Sequence, residues 1–214
     1  MDTENVFVNI NDFTLIDEPL ESGGFGQVFV VKENSTNKKY AIKELDAKAY
    51  LQPKAQKLLQ REVTILNQLH HIAIVYFRGF SFISFRDPTK WEPTIFMEYV
   101  ENKSLGKILD DSRRGLAPKE WTNTKKYINL VGIAAALKYL HENEILHRDL
   151  KPDNILLDQN LYPKVCDFGL SRNLKETMTV NIGTKEYMAP EVLTGEPYGL
   201  KVDVFSFAIL AFEI

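Results

Sequence analysis

Through the first hundred positions, apolar residues come in short alternating or continuous blocks; beyond them they recur at helical spacing. Phe13–Leu20 begins with alternation, and Val28-Phe29-Val30-Val31 and Tyr40–Leu45 flank a turn cluster at Asn34–Asn37, so three strands are expected. Two more are expected near Ile74–Phe82 and Thr94–Val100, joined by a polar turn containing Asp87-Pro88. One helix is expected between these groups. Pro53 suits its first turn, and Leu59, Val63, Leu66 and His70 follow at spacings of four, three and four.

After Val100 the texture changes. Residues 101–104 are a short polar connector, and the remainder reads as mainly helical. Tyr127–Leu140 and Val202–Ile214 are apolar nearly all round, which predicts two buried helices. The expected class is α+β. A β-rich lobe over 13–100 holds one main helix, 101–104 is a hinge connector, and 105–214 is a mainly helical lobe, together one domain over 1–214.

With 214 residues the chain can bury a sizeable core. A net charge of -3 favours neither nucleic acid nor an anionic membrane as partner. The longest apolar runs, Leu130–Leu137 and Val204–Phe212, fall short of the roughly 18 residues of a spanning helix. Met1-Asp2-Thr3-Glu4 lacks the positive flank and apolar stretch of a signal peptide. A single cysteine, Cys166, excludes an internal disulfide framework. A reducing, cytoplasmic setting is the expectation.

His147-Arg148-Asp149-Leu150-Lys151-Pro152-Asp153-Asn154 concentrates the candidate chemistry. Pro152 and Asp153 argue against a regular helix or strand, so a polar loop is expected. It would gather a proton-accepting carboxylate, a fixed cation and a metal-ligating amide, the parts phosphoryl transfer requires. Between two expected strands, Ser22-Gly23-Gly24-Phe25-Gly26-Gln27-Val28 could bring backbone N–H groups close to phosphates, although most Gly-rich hairpins are only turns. A lysine after apolar residues, such as Lys43, is usually a solvated strand end. Asp167-Phe168-Gly169 alone could be any turn.

In this order and spacing the motifs resemble the eukaryotic protein kinase catalytic domain, Ser/Thr type, from about Phe13 to Ile214. Gly23-Gly24-Phe25-Gly26, the strand with Gly79-Phe80, and Val204-Phe205-Ser206-Phe207 are similar to the tyrosine-kinase-like group. The resemblance implies transfer of the γ-phosphoryl of Mg-ATP to a protein Ser/Thr hydroxyl, with ATP and Mg²⁺ as cofactors and a Ser/Thr-bearing protein as partner. It assigns Asp149 as base, Lys151 near the γ-phosphate, and Lys43 on the α/β-phosphates, paired with Glu62. Mg²⁺ would be held by Asn154 and Asp167.

For ATP it implies Leu20, Gly23, Gly24, Phe25, Gly26, Val28, Ala41, Lys43, Met97, Glu98, Val100 and Leu156. Met97 is the gatekeeper, and Glu98, Tyr99 and Val100 form the hinge. Thr184 bridges Asp149 and Lys151 in the substrate-docking segment, and Asp203 braces the catalytic loop. His147 packs below that loop, and His70, His71 and His141 are read as helix-end or packing residues. Arg148 pairs an activation-loop phosphate, for which Thr177 and Thr179 are the candidates.

Two departures stand out. Glu21 occupies the place of the first glycine, which predicts weakened nucleotide affinity. The chain also stops where family members continue, so Glu191 would lack its arginine, at about 3–5 kcal/mol. The incomplete second lobe and Glu21 support an alternative, a pseudokinase or regulatory binding module; the set Lys43, Glu62, Asp149, Asn154 and Asp167 opposes it.

Overall fold

The computed structural model describes residues 6–16, 21–23, 26–45, 51–174 and 183–214. Leu20, Gly24, Phe25, Thr177 and Thr179, and the side chain of Glu21, lie outside the described residues. The fold is α+β and divides into two compact units, Met1–Gln68 with Tyr76–Tyr99 and Leu69–Val75 with Val100–Ile214.

Among the described residues, the first unit comprises an antiparallel sheet, one α-helix and a short 3-10 helix at Ile10–Asp12. Its strands are β1 (Phe13–Leu15), β2 (Glu21–Gly23), β3 (Gly26–Glu33), β4 (Lys39–Glu44), β5 (Phe77–Ser81) and β6 (Thr94–Glu98). They run in the order β1-β3-β4-β6-β5, with β2 also paired to β3. Since β4 occupies one edge of β3, β1 and β2 share the other edge. Side chains alternate across a strand, so the register sorts them between two faces. Phe29, Val31, Tyr40, Ile42 and Phe96 take one face and form a core with Ile10 and Phe13. Val28, Val30, Ala41, Lys43, Ile95 and Met97 take the other, through the pairs Val28↔Lys43, Val30↔Ala41, Lys43↔Ile95 and Ala41↔Met97.

Glu44 ends the buried row at 2% exposure. Its Oε1 accepts from the Ser84 hydroxyl at 2.6 Å and the Phe85 N–H at 2.8 Å, and its Oε2 accepts from Arg86 Nε at 2.7 Å. One carboxylate therefore pins the β5–β6 connection to the sheet.

Helix α1 (Pro53–Leu66) begins at Pro53, whose missing N–H costs nothing at a first turn. Its buried stripe is Leu59, Glu62, Ile65 and Leu66. Two expectations are corrected here. The helix ends at Leu66, leaving His70 beyond it and exposed, and Val63 is only half-buried. Ile74 and Val75 do not extend β5 either; both meet Val165 in the second unit.

The second unit contains α2 (Leu105–Arg113), α3 (Asn123–Glu142), β7 (Ile145–Leu146), β8 (Ile155–Leu157), β9 (Pro163–Val165), β10 (Arg172–Asn173), α4 (Pro190–Thr194) and α5 (Lys201–Glu213). The sequence carries a signal for α2 in Ser104, which caps the Lys107 N–H, followed by buried Leu105, Ile108 and Leu109.

The expectation of fully buried helices is corrected. In α3, Asn129, Ile133, Ala136, Leu137 and Leu140 face inward, while Tyr127 and Val131 are 68% and 50% exposed. In α5, Val202, Asp203, Ser206 and Leu210 are buried, and Phe212 is 93% exposed. Apolar composition all round a helix does not say which side its neighbours cover.

Among the described residues, no helix is long and apolar enough to cross a membrane.

Candidate active site

Each unit presents its own set of functional groups. In the first, Lys43 Nζ meets Glu62 Oε1 at 2.9 Å, with the two side chains 20% and 8% exposed. The sheet fixes Lys43 from both sides through Val28 and Ile95, and α1 presents Glu62 from its buried stripe. The backbones of Gly23 and Gly26 pair directly, closing the β2–β3 hairpin. Glu98 closes the sheet edge with two contacts to Tyr76: its N–H donates to the Tyr76 carbonyl at 2.8 Å, and its Oε1 accepts the Tyr76 N–H at 2.7 Å.

In the second unit, Asp149 and Asn154 lie between β7 and β8, and Asp167 follows β9. Pairing of Ile155 with Val165 brings the start of β8 beside the end of β9, and the Cys166 N–H donates to the Asn154 carbonyl at 3.0 Å. That pairing brings the backbone of Asn154 next to the segment carrying Asp167. The expected irregular loop contains one tight turn, a 3-10 helix over Pro152–Asn154 with Pro152 first. It is also buried: His147 is 0% exposed and Asn154 7%.

Asp149 is contacted through both of its carboxylate oxygens. Its Oδ1 accepts the Thr184 N–H and hydroxyl, each at 2.8 Å, and its Oδ2 accepts the Asn154 amide at 3.0 Å. Lys151 Nζ stands 3.4 Å from Oδ2 and donates to Thr184 Oγ1 at 2.9 Å. Burial pushes the Asp149 carboxyl up, but the Thr184 hydroxyl, the Lys151 ammonium, the Thr184 N–H and the Asn154 amide outweigh it. The net effect holds the group below the ordinary Asp range, ionised at neutral pH.

Asn154 has a forced orientation. Its nitrogen donates to the Asp149 carbonyl at 2.8 Å as well as to Oδ2, and only an NH₂ group can serve two acceptors. The oxygen is therefore turned away from Asp149 as a possible metal ligand. Asp167 is exposed. A carboxylate plus an amide oxygen suits Mg²⁺, which completes its shell with waters and phosphates. Among the described residues there is no group of three or more His, Cys, Asp or Glu suited to a metal ion, a pattern Mg²⁺ does not need.

The loop is braced from below. Asp203, 0% exposed on α5, accepts the N–H groups of His147 and Arg148 at 2.9 Å each. His141 Nε2 lies 3.0 Å from its Oδ2, so this histidine supports the bracing acid and does more than end a helix. His147 Nε2 meets the Cys166 carbonyl at 3.0 Å, and its ring packs edge-on against Phe168. His71 stacks on Tyr139. Arg148 and Asp167 both have left-handed backbones, φ 68 and 59, costing on the order of 1–3 kcal/mol each.

Two contributors were not singled out in the sequence. At Gly183, φ is 119 and an added Cβ would lie 2.6 Å from the Arg148 carbonyl oxygen. Tyr187 hydrogen-bonds Glu213, whose other oxygen meets Arg113 at 2.9 Å; burial first and then the Glu213 contact push the phenol up. Gly183 was discoverable from its place one residue before Thr184. The Tyr187–Glu213–Arg113 set has no spacing rule that would reveal it.

Residues 16–214 match the family model "Protein kinase domain". The chain is 31% identical over 206 residues to a cAMP-dependent protein kinase type 3 of Saccharomyces cerevisiae, covering 96% of this chain and 48% of that protein. It is 34% identical to an Aurora kinase of Yarrowia lipolytica, covering 96% and 52%. A cysteine-rich receptor-like protein kinase 5 of Arabidopsis thaliana is 36% identical, with coverage of 91% and 29%. The chain thus spans about half the length, or less, of these curated relatives. With the fold and the Asp149 constellation in place, the match over residues 16–214 means that this chain belongs to the protein kinase domain family.

Proposed function

We propose that the chain is the catalytic domain of a Ser/Thr protein kinase that transfers the γ-phosphoryl of ATP to a protein hydroxyl. The observation that carries this reading is the Asp149 carboxylate, which accepts from Thr184 and Asn154 with the Lys151 ammonium 3.4 Å away. The substrate hydroxyl oxygen bonds to the γ-phosphorus as the bond from that phosphorus to the β,γ-bridging oxygen breaks, and ADP leaves. Asp149 orients the hydroxyl and takes its proton.

Lys151 neutralises charge developing at the γ-phosphoryl, and Lys43, steadied by Glu62, neutralises the α/β-phosphates. In the first unit Val28, Ala41 and Met97, on the sheet face of Lys43, would line the adenine, with Glu98 at the hinge. Val100 and Leu156 of the second unit are carried over from the family resemblance as ATP-binding residues. Mg²⁺, when bound by Asn154 and Asp167, supplies charge neutralisation on the phosphate oxygens. Lys151-Pro152 and the Thr184 bridge favour Ser/Thr over Tyr acceptors. A cytoplasmic setting belongs to the same reading, supported by the single cysteine.

The test is Mg-ATP-dependent phosphorylation of a generic Ser/Thr protein substrate. Asp149→Asn, which keeps the size and loses the base, is expected to lower kcat by about a hundredfold or more. Turnover no greater than that of Asp149→Asn from folded protein would remove the enzyme and favour a binding module of the same fold.

A further inference from the structure

Tyr198 lies between α4 and α5, and no step of the proposed reaction uses it. Its hydroxyl oxygen accepts from Arg148 Nη1 at 3.1 Å, while Arg148 Nε donates to the Leu170 carbonyl at 2.7 Å. A single guanidinium therefore ties together the α4–α5 connection, the residue before Asp149 and the segment following Asp167. We propose that Tyr198 is a positioning residue for phosphoryl transfer, its hydroxyl fixing the Arg148 guanidinium and, through it, the segments that carry Asp149 and Asp167. The inference rests on the kinase reading above.

Three features make this hydroxyl consequential. Arg148 is 8% exposed, so a donor that loses its acceptor there has little water to replace it. Its backbone is in the left-handed region with its N–H on Asp203, so side-chain anchors oppose relaxation of the residue beside Asp149. The Tyr198 ring, finally, packs against the core of Leu146, Met188, Ala189, Val192 and Val202. That core sets the ring's position independently of the hydroxyl. Tyr198→Phe removes the oxygen and keeps the packing.

The test is a kinetic double-mutant cycle of Tyr198→Phe with Arg148→Lys, alongside ¹⁵N NMR of the arginine side chains. Tyr198→Phe should lower kcat per folded molecule about tenfold, the scale of one hydrogen bond to a charged group, leaving the KM for ATP near wild type. In the Arg148→Lys background the same change should cost less than about twofold, because its target is gone. Resolved Nη resonances of Arg148, reporting restricted rotation, should collapse in Tyr198→Phe. Additive effects, an unchanged kcat in Tyr198→Phe, or unaltered Arg148 resonances would each overturn the role. Absence of turnover in the wild type would instead overturn the kinase reading on which it rests.

Discussion

Asp203 Oδ1 accepts the backbone N–H of Arg148 at 2.9 Å across 55 positions of sequence, and its Oδ2 does the same for His147. A carboxylate with no solvent exposure thus holds the two peptide groups that lead into Asp149. Asp203→Ala leaves both N–H groups buried without an acceptor and is expected to lower stability by about 3–5 kcal/mol in urea unfolding. Asp203→Asn, which keeps one accepting oxygen, should lose less. Equal losses in the two variants would show that a single retained acceptor oxygen does not support the loop.

Gly183 touches the same loop from the other side. Its φ of 119 disfavours any side chain, and a Cβ would stand 2.6 Å from the Arg148 carbonyl. Gly183→Ala must displace either that carbonyl or Thr184. A destabilisation of about 2–3 kcal/mol is expected, with a fall in kcat larger than the loss of folded protein explains. A wild-type kcat per folded molecule would argue that the Gly183 approach has no bearing on Asp149.

Thr184 links stability to pH. The folded Asp149 carboxyl titrates below its unfolded value, so the stability it adds is present above the unfolded pKa and is lost as pH falls through the folded one. Thr184→Val removes the hydroxyl donor and keeps the N–H donor. The folded pKa should rise toward the unfolded value, and the loss of stability between about pH 6 and about pH 2.5 should shrink. Urea unfolding at the two pH values, wild type against variant, decides it; parallel losses would separate Thr184 from the Asp149 titration.

Glu44 offers a contrast between folding and catalysis. It sits on the sheet face opposite Lys43 and binds Ser84, Phe85 and Arg86. Glu44→Ala strands the buried Ser84 hydroxyl and the Phe85 N–H, at about 3 kcal/mol. Turnover per folded molecule should stay near wild type, measured below the lowered Tm. A large drop in kcat with little loss of stability would place Glu44 in the chemistry.

Legibility from sequence varied with the range of the interaction. Strand blocks and the helices around Leu59 and Ile133 were readable because periodicity is a local property of a buried face. So was the joint presence of Asp149, Lys151 and Asn154, which one tight turn holds together. The exposed sides of Tyr127, Val131 and Phe212 were not, since an apolar pattern all round a helix contains no direction. Nor was the partner of His141, which lies 62 positions away.

The sequence by itself determined the family, the α+β class and the residue types available for phosphoryl transfer. Those follow from motifs whose members sit a few residues apart or at a fixed interval. Only the tertiary structure decided that the Asn154 amide joins Thr184 on Asp149, that the Asn154 oxygen turns outward, and that Tyr198 reaches Arg148. Hydrogen bonds depend on distances of a few tenths of an ångström between segments far apart in the chain, and only packing fixes those distances.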